Sequence, residues 1–308
     1  MQRAHIREVG LRDGLQLVRS FLPTERKVAW CRDAVAAGMT EIEVTSFVPP
    51  SVVPQFADAA EVVKQARQID GLTVTCLVPN FKGAVRAIES GVDKINYVVS
   101  ASEMHNQSNV RRSTKESLDD FVRIAEHRTQ AAIPVKVVGC VATAFGCSLQ
   151  GAVSEDRVVE MIAFLAQAGA DEIIVADTVG YGNPAQVERI FAAARAAFAG
   201  PIYAHFHDTR GLGLANVAAA LRAGITHFDA SLGGLGGCPF APGASGNIDT
   251  EDCAFLLESM SYATGLDIEK LVALRDKVTG WMPGEVLGGA IARAGLPKTF
   301  GVAALVVR

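Results

Sequence analysis

Apolar and polar positions along the chain fall into two periodicities that succeed one another in a steady rhythm. Short runs rich in β-branched residues occupy residues 6–9, 41–45, 73–78, 94–99, 135–141, 172–176, 202–206 and 228–231. They read as strands. Between them, apolar residues recur at helical spacing over 24–37, 57–68, 117–131, 155–168, 184–198 and 214–223. Several helices stop at one kind of signal: Ala36-Ala37-Gly38, Glu89-Ser90-Gly91, Gln167-Ala168-Gly169 and Arg222-Ala223-Gly224. Each puts glycine where a left-handed C-cap sits, just before the next strand. Repeated strand–helix units of this kind predict an α/β fold, a (β/α)8 TIM barrel, which takes about 250 residues. A doubly wound sheet is the alternative, but it carries a phosphate-binding glycine fingerprint after its first strand. Here that place holds Gly10-Leu11-Arg12-Asp13-Gly14, which is no such fingerprint. The expectation is one domain over residues 1–308, with the barrel over about 4–264 and a C-terminal helical appendage over about 265–308. Helical patterns in the appendage cover 268–279 and 284–294.

Composition changes this picture little. The chain has 308 residues, 49% hydrophobic and 20% charged, as soluble globular proteins do. A net charge of -4 and a pI near 5.9 leave no basic excess for nucleic acid. The opening MQRAHIREVG has no apolar targeting core, and every apolar run is shorter than the roughly 20 residues that span a bilayer. The six cysteines, at 31, 76, 140, 147, 238 and 253, form no CxxC pair. They read as reduced thiols, mostly in the core, of a cytoplasmic protein.

In a barrel, chemistry gathers at the C-terminal ends of the strands. Arg12 and Asp13 follow the first strand. In the second, alternation puts Glu41, Glu43 and Thr45 on one face. A carboxylate facing into a barrel needs a partner, and Arg12 is within reach of Glu43. The seventh strand ends in Ala204-His205-Phe206-His207-Asp208. Residues two apart on a strand share a face, about 7 Å apart, so both imidazoles can converge on one ion. Asp13 and Asn247 can reach the same mouth, and two imidazoles with two oxygens suit Mg2+ or Mn2+, with Zn2+ and Co2+ left open. Asp177, after the sixth strand, either orients a ligand or caps the following helix. His105 lies in a polar segment after the fourth strand that reads as a loop, and His5, His127 and His227 read as structural or surface residues. Residues 233–247, GGLGGCPFAPGASGN, hold six glycines around Cys238. Such a loop packs no core; it suits close backbone approach to a ligand, or movement over one.

These residues carry a resemblance to the 3-hydroxy-3-methylglutaryl-CoA lyases, a family of metal-dependent TIM-barrel enzymes. The motifs are Val9-Gly10-Leu11-Arg12-Asp13-Gly14-Leu15-Gln16, Ile42-Glu43-Val44-Thr45-Ser46-Phe47, Ala101-Ser102-Glu103, His205-Phe206-His207-Asp208-Thr209 and, most specifically, the loop over 233–247. The resemblance implies a carbon–carbon lyase, a divalent-cation cofactor, a CoA thioester substrate and a homodimer. It implies Asp13, His205, His207 and Asn247 as cation ligands, Arg12 neutralising an enolate, Cys238 as general acid and Glu43 positioning either Arg12 or a cation-bound water. Gln16, Ser46, Asp177, Thr178, Gly236 and Gly237 would shape the substrate site, and Glu251 and Asp252 would support Asn247. The chain departs from the family pattern at Leu17-Val18, at Arg210-Gly211-Leu212 and over 104–112, where substrate tail and CoA would be read. The acyl group therefore stays open between 3-hydroxy-3-methylglutaryl, citramalyl and a longer branched homologue. A 2-keto acid aldolase, a condensing synthase and a non-catalytic acyl-CoA or metal binder are the rival readings.

Overall fold

The computed structural model describes residues 1–237 and 246–300. Eight parallel strands close into a TIM barrel: β1 (His5–Glu8), β2 (Glu41–Ser46), β3 (Thr73–Val78), β4 (Lys94–Ser100), β5 (Lys136–Ala142), β6 (Glu172–Asp177), β7 (Ile202–Phe206) and β8 (His227–Ala230). Each pairs with the next, and β8 closes on β1 with Arg7 opposite Asp229. A short parallel pair, Gln2–Arg3 with Tyr262–Ala263, ties the N-terminus to the chain beyond the barrel.

Eight helices connect or follow the strands: α1 (Thr24–Ala36), α2 (Ala59–Ala66), α3 (Phe81–Glu89), α4 (Glu103–Val110), α5 (Thr114–Gln130), α6 (Glu155–Gln167), α7 (Pro184–Ala197) and α8 (Gly213–Arg222). The four glycine stops behave as expected, with φ of +96° at Gly38, +84° at Gly91, +95° at Gly169 and +82° at Gly224. No described helix is long and apolar enough to cross a membrane. The main core lies between strands and helices. Outward-facing Ile42 and Val44 are fully buried there with Trp30, Val62 and Val63.

Two expectations need correction. The segment after β4 is not a loop but α4 and the start of α5. Ser102 caps α4 by accepting from His105 N at 3.1 Å, and Ser113 and Glu116 form a capping box on α5. Asn106 holds the two together, accepting from Ser100 N at 3.0 Å and donating to Ser117 Oγ at 2.8 Å. Beyond the barrel, α9 (Thr250–Ser259) and α10 (Ile268–Trp281) are helices, but of residues 284–294 only α11 (Ile291–Ala294) is helical. Gly284, Gly288 and Gly289 break the pattern, Gly289 with φ of +99°. Arg275 Nη2 donates to Leu287 O and Gly288 O, both at 2.8 Å, fixing the extended stretch instead.

The barrel interior is unusually polar. One flank is apolar, with Val138, Cys140, Ile174 and Ala176 beside the Tyr203 ring. The other holds Arg7, Glu41, Lys94, Glu172 and Asp229, all buried. Glu41 gathers Lys94 Nζ at 2.9 Å, Tyr203 Oη at 3.1 Å, Thr75 Oγ1 at 3.2 Å and Arg7 Nη1 at 3.4 Å. His5 and His227 sit at this lower end with ring centres 5.6 Å apart, His5 Nε2 lying 3.3 Å from Glu41. Charges this deep are tolerable because each finds an opposite partner.

Candidate active site

The upper mouth of the barrel is organised by one wide helical turn. After β1 the chain bends over Gly10–Gly14, with Asp13 N and Gly14 N both donating to Val9 O, at 2.7 and 3.3 Å. Wide turns of this kind recur at functional sites. This one delivers Arg12 and Asp13 to the mouth. Arg12 Nη1 bonds Asp13 Oδ1, and Arg12 Nε lies 3.4 Å from Glu43 Oε2. Glu43 is 4% exposed, so it is an interior carboxylate and not a solvated edge. Its other oxygen accepts from Asn96 Nδ2 at 2.7 Å.

From β7 and the residue just beyond it, His205 and His207 meet Asp13. One ligand atom from each of the three lies within 4.8 Å of the others. His207 Nε2 is 3.5 Å and His205 Nε2 3.9 Å from Asp13 Oδ2. Asn247 donates from Nδ2 to the same oxygen at 2.8 Å and to Leu235 O at 3.2 Å. Its Oδ1 is buried with no partner among the described residues. One carboxylate, two imidazoles and an orphaned amide oxygen make a donor set that fits a divalent cation.

The electrostatics favour that use. Burial alone would push the Asp13 carboxyl up, but Arg12 and the two histidines hold it well below the usual carboxylate range. It is ready as an anionic ligand. His205 Nδ1 lies 3.1 Å from Asp229 Oδ2, which leaves Nε2 to face Asp13. Burial would lower His205, but Asp229 and, after it, Asp13 together outweigh that and raise the imidazole. Arg7 in turn grips Asp229 with Nε and Nη2, each at 2.9 Å. A carboxylate behind a ligating histidine sets its tautomer and orientation.

Beside this cluster lies a cavity of about 150 Å³, lined by Arg12, Gln16, Glu43, Thr178, His205 and Gly237 among others. Other residues expected here stand elsewhere. Asp177 does not line it; its oxygens accept from Tyr181 N at 2.8 Å and Gly182 N at 2.9 Å. Nor does Asp177 cap the next helix, since Asn183 accepts from Gln186 N at 3.1 Å. Ser46 Oγ accepts from Val48 N at 3.2 Å and is turned into its own strand end. Gly236 supports the site from behind. Its φ is +129°, and a Cβ there would lie 2.7 Å from Asn247 Nδ2. Among the described residues no hydrogen bond joins Glu251 or Asp252 to Asn247. Glu251 accepts from Gly233 N at 3.0 Å, and Asp252 accepts from Ala290 N at 2.7 Å and Ile291 N at 2.8 Å. Glu251 thus braces the start of the glycine-rich segment, and Asp252 the start of α11. Cys238 lies outside the described residues. Arg210, one of the departures, donates to Val179 O at 3.0 Å and Gly180 O at 3.1 Å, and so braces a neighbouring loop.

Sequence reasoning missed Arg7, Asn96 and Asp229. All three sit on the inward face of strands that were recognised. The alternation that singled out Glu43 would have found them. It also missed Glu8, whose Oε1 accepts from Gly10 N at 2.7 Å and Leu232 N at 3.0 Å while Oε2 accepts from Thr250 Oγ1 at 2.7 Å. Glu8 thus joins both sides of the mouth. Burial pushes its carboxyl up to about 7, only partly countered by those donors. The folded state then holds this proton more tightly than the unfolded chain does. Its contribution is full below pH about 4.5 and is lost as pH rises through about 7, an effect on the order of 3 kcal/mol. Urea unfolding at pH 5 and pH 8 should show this loss in the wild type and a smaller one in Glu8→Gln. Equal losses in both would remove Glu8 as the source.

A family model described as HMGL-like matches residues 3–278. The hydroxymethylglutaryl-CoA lyase of Bacillus subtilis is 41% identical over 273 residues, covering 88% of this chain and 91% of that protein. A 3-hydroxy-3-isohexenylglutaryl-CoA/hydroxymethylglutaryl-CoA lyase of Pseudomonas aeruginosa is 38% identical over 302 residues, covering 96% of this chain and 98% of that one. Among solved structures, an HMG-CoA lyase of Acinetobacter baumannii in complex with coenzyme A and 3-methylmalate superposes with a TM-score of 0.91 at 38% identity, covering 96% of each chain.

Proposed function

The chain belongs to the HMGL-like family, and from that premise we propose that it is a carbon–carbon lyase cleaving 3-hydroxy-3-methylglutaryl-CoA to acetyl-CoA and acetoacetate. The observation that carries the reading is the convergence of Asp13, His205 and His207 within 4.8 Å, beside Arg12 at the barrel mouth. Asp13, His205, His207 and Asn247 would hold a divalent cation, Mg2+ or Mn2+, which supplies Lewis acidity toward the substrate's oxygens.

The residues divide the work as follows. The C3 hydroxyl loses its proton to His205 or Asp13. The C2–C3 bond breaks, C3 becomes the ketone of acetoacetate, and the electron pair passes into the thioester as an enolate. Arg12 neutralises the charge that develops on the enolate oxygen, where a fixed guanidinium is worth most in the transition state. Glu43, held by Asn96, aims Arg12. Cys238 delivers a proton to C2 and completes acetyl-CoA. Gln16, Thr178 and Gly237 line the acyl pocket, and Gly236 supports it from behind. We further read the protein as a cytoplasmic homodimer with an acyl-CoA as its partner and neither nucleic acid nor membrane. The same chemistry on a larger acyl group is the second reading, favoured by the uncharged side of the cavity at Asn96, His105 and Asn109.

The test is acetyl-CoA release by purified protein with Mg2+ and a thiol reductant, comparing 3-hydroxy-3-methylglutaryl-CoA, citramalyl-CoA and a longer homologue. Turnover of one of these esters is expected, and Cys238→Ser should lower it by roughly 100-fold, the scale of a lost general acid. No cleavage of any ester would end the lyase reading, and near-normal activity in Cys238→Ser would remove that thiol from the reaction.

A further inference from the structure

A second cavity lies at the opposite end of the barrel from the candidate active site. It measures about 450 Å³, against about 150 Å³ for the upper one. Six of the eight strands begin with a residue that lines it: His5, Glu41, Lys94, Lys136, Glu172 and His227. Barrel register sets His5 beside His227 and Lys94 beside Lys136. Arg3, just before β1, also lines it. In a TIM barrel the chemistry sits at the other end, so the reaction does not account for this space. A polar cavity of this size holds water or a ligand.

The charges decide which kind of ligand fits. Among the described residues only Glu41 and Glu172 line the cavity with carboxylates, and both are occupied. Glu41 has the four donors given above. Glu172 takes Lys94 Nζ at 2.8 Å on one oxygen and Lys136 Nζ at 3.0 Å on the other. A cation would find no free carboxylate here, and the described residues gather a cation cluster only at Asp13, His205 and His207. Donors, by contrast, remain. The Lys136 side chain is 56% exposed and keeps two N–H groups beyond its bond to Glu172. Arg3 is exposed, and its guanidinium makes no hydrogen bond or ion pair among the described residues. Burial and, after it, His5 push the His227 imidazole down, so the ring is neutral and offers one N–H. Its one hydrogen-bond contact among the described residues is Thr226 Oγ1, at 3.4 Å. Three cations, Arg3, Lys94 and Lys136, thus face two carboxylates, and one positive charge is left uncompensated.

We infer that this lower cavity is a binding site for a compact oxyanion, a carboxylate or a phosphate, held by Arg3 and Lys136 with His227 and Thr226 as further donors. The planar fork of Arg3 matches two oxygens of such a group, and charge-assisted bonds of this kind are the strong ones. The bound anion compensates the surplus positive charge without displacing any pair already made by Glu41 or Glu172. The site is separate from the upper mouth and does not depend on the lyase reading.

Calorimetric titration of the metal-free protein with inorganic phosphate and, separately, with succinate tests this. Removing the cation keeps the upper cluster from competing for the probe. Saturable binding of at least one probe is expected, and the tighter of the two tells whether the site takes phosphate or carboxylate. Arg3→Gln should weaken it by about tenfold or more, the scale of hydrogen bonds to a charged group. Imidazole NMR of the wild type locates the anion without any variant: the probe should shift the ring signals of His5 and His227 and leave those of His205 and His207 in place. No saturable binding of either probe, equal affinity in Arg3→Gln, or shifts confined to His205 and His207 would each overturn the inference. If Arg3→Gln does not fold, the wild-type titration and its ring shifts decide.

Discussion

His205→Ala should lose divalent-cation binding and turnover together. His205 is one of three residues whose ligand atoms meet within 4.8 Å. It is also the one held from behind, by Asp229 at 3.1 Å and, through Asp229, by Arg7. Residues that merely support a ligand are worth about 10- to 100-fold in metal affinity, so removing a ligand should cost at least roughly 100-fold. Calorimetric titration of the metal-free protein with Mn2+ reads this directly and does not depend on activity. Acetyl-CoA release at saturating Mn2+ should fall to background in parallel. The fold should survive, because the imidazole sits at the mouth and the Arg7–Asp229 pair beneath it remains. Unchanged Mn2+ affinity in a folded variant would sink the cation site.

Arg12→Lys should be nearly as damaging to turnover while leaving cation binding in place. The guanidinium addresses Asp13 and Glu43 at once, through different nitrogens. Lysine keeps the charge but offers one compact ammonium, which cannot hold both partners and present a free N–H to a developing enolate. Loss of one preorganised donor to an oxyanion costs about 100- to 1000-fold in kcat. The loss should fall on kcat more than on KM, because the charge it meets exists chiefly in the transition state. Mn2+ affinity should move little, since Asp13 and the histidines remain. A kcat within about threefold of wild type, far short of that scale, would assign Arg12 to structure and away from the reaction.

Much of this was legible in the residues. The β-branched runs and glycine stops predicted each barrel strand to within one or two residues of its observed span. The strand-end filter selected Arg12, Asp13, Glu43, His205 and His207, which the fold brings together. Asn247 was selected as well, and its amide meets Asp13. The failures have physical causes. The stretch after β4 is polar enough to read as loop, yet Ser102 and Ser113 supply the caps that make it helical. Asp177 sits at a strand end like the site residues, but adjacent loop N–H groups occupy both its oxygens. Glu251 and Asp252 stand near Asn247 in sequence and serve other backbone.

Alternation and punctuation depend on neighbours a few positions away, so the chain alone determined its strands, the four helix ends that stop at glycine and the alternation that points side chains into the barrel. It could not determine which inward side chains meet. That depends on register around a closed barrel, where Arg7 finds Asp229 across 222 positions and Asn247 finds Asp13 across 234. Barrel closure also removes water from these groups. A buried charge must find an opposite charge or a donor, and only the tertiary structure decides which one is within reach.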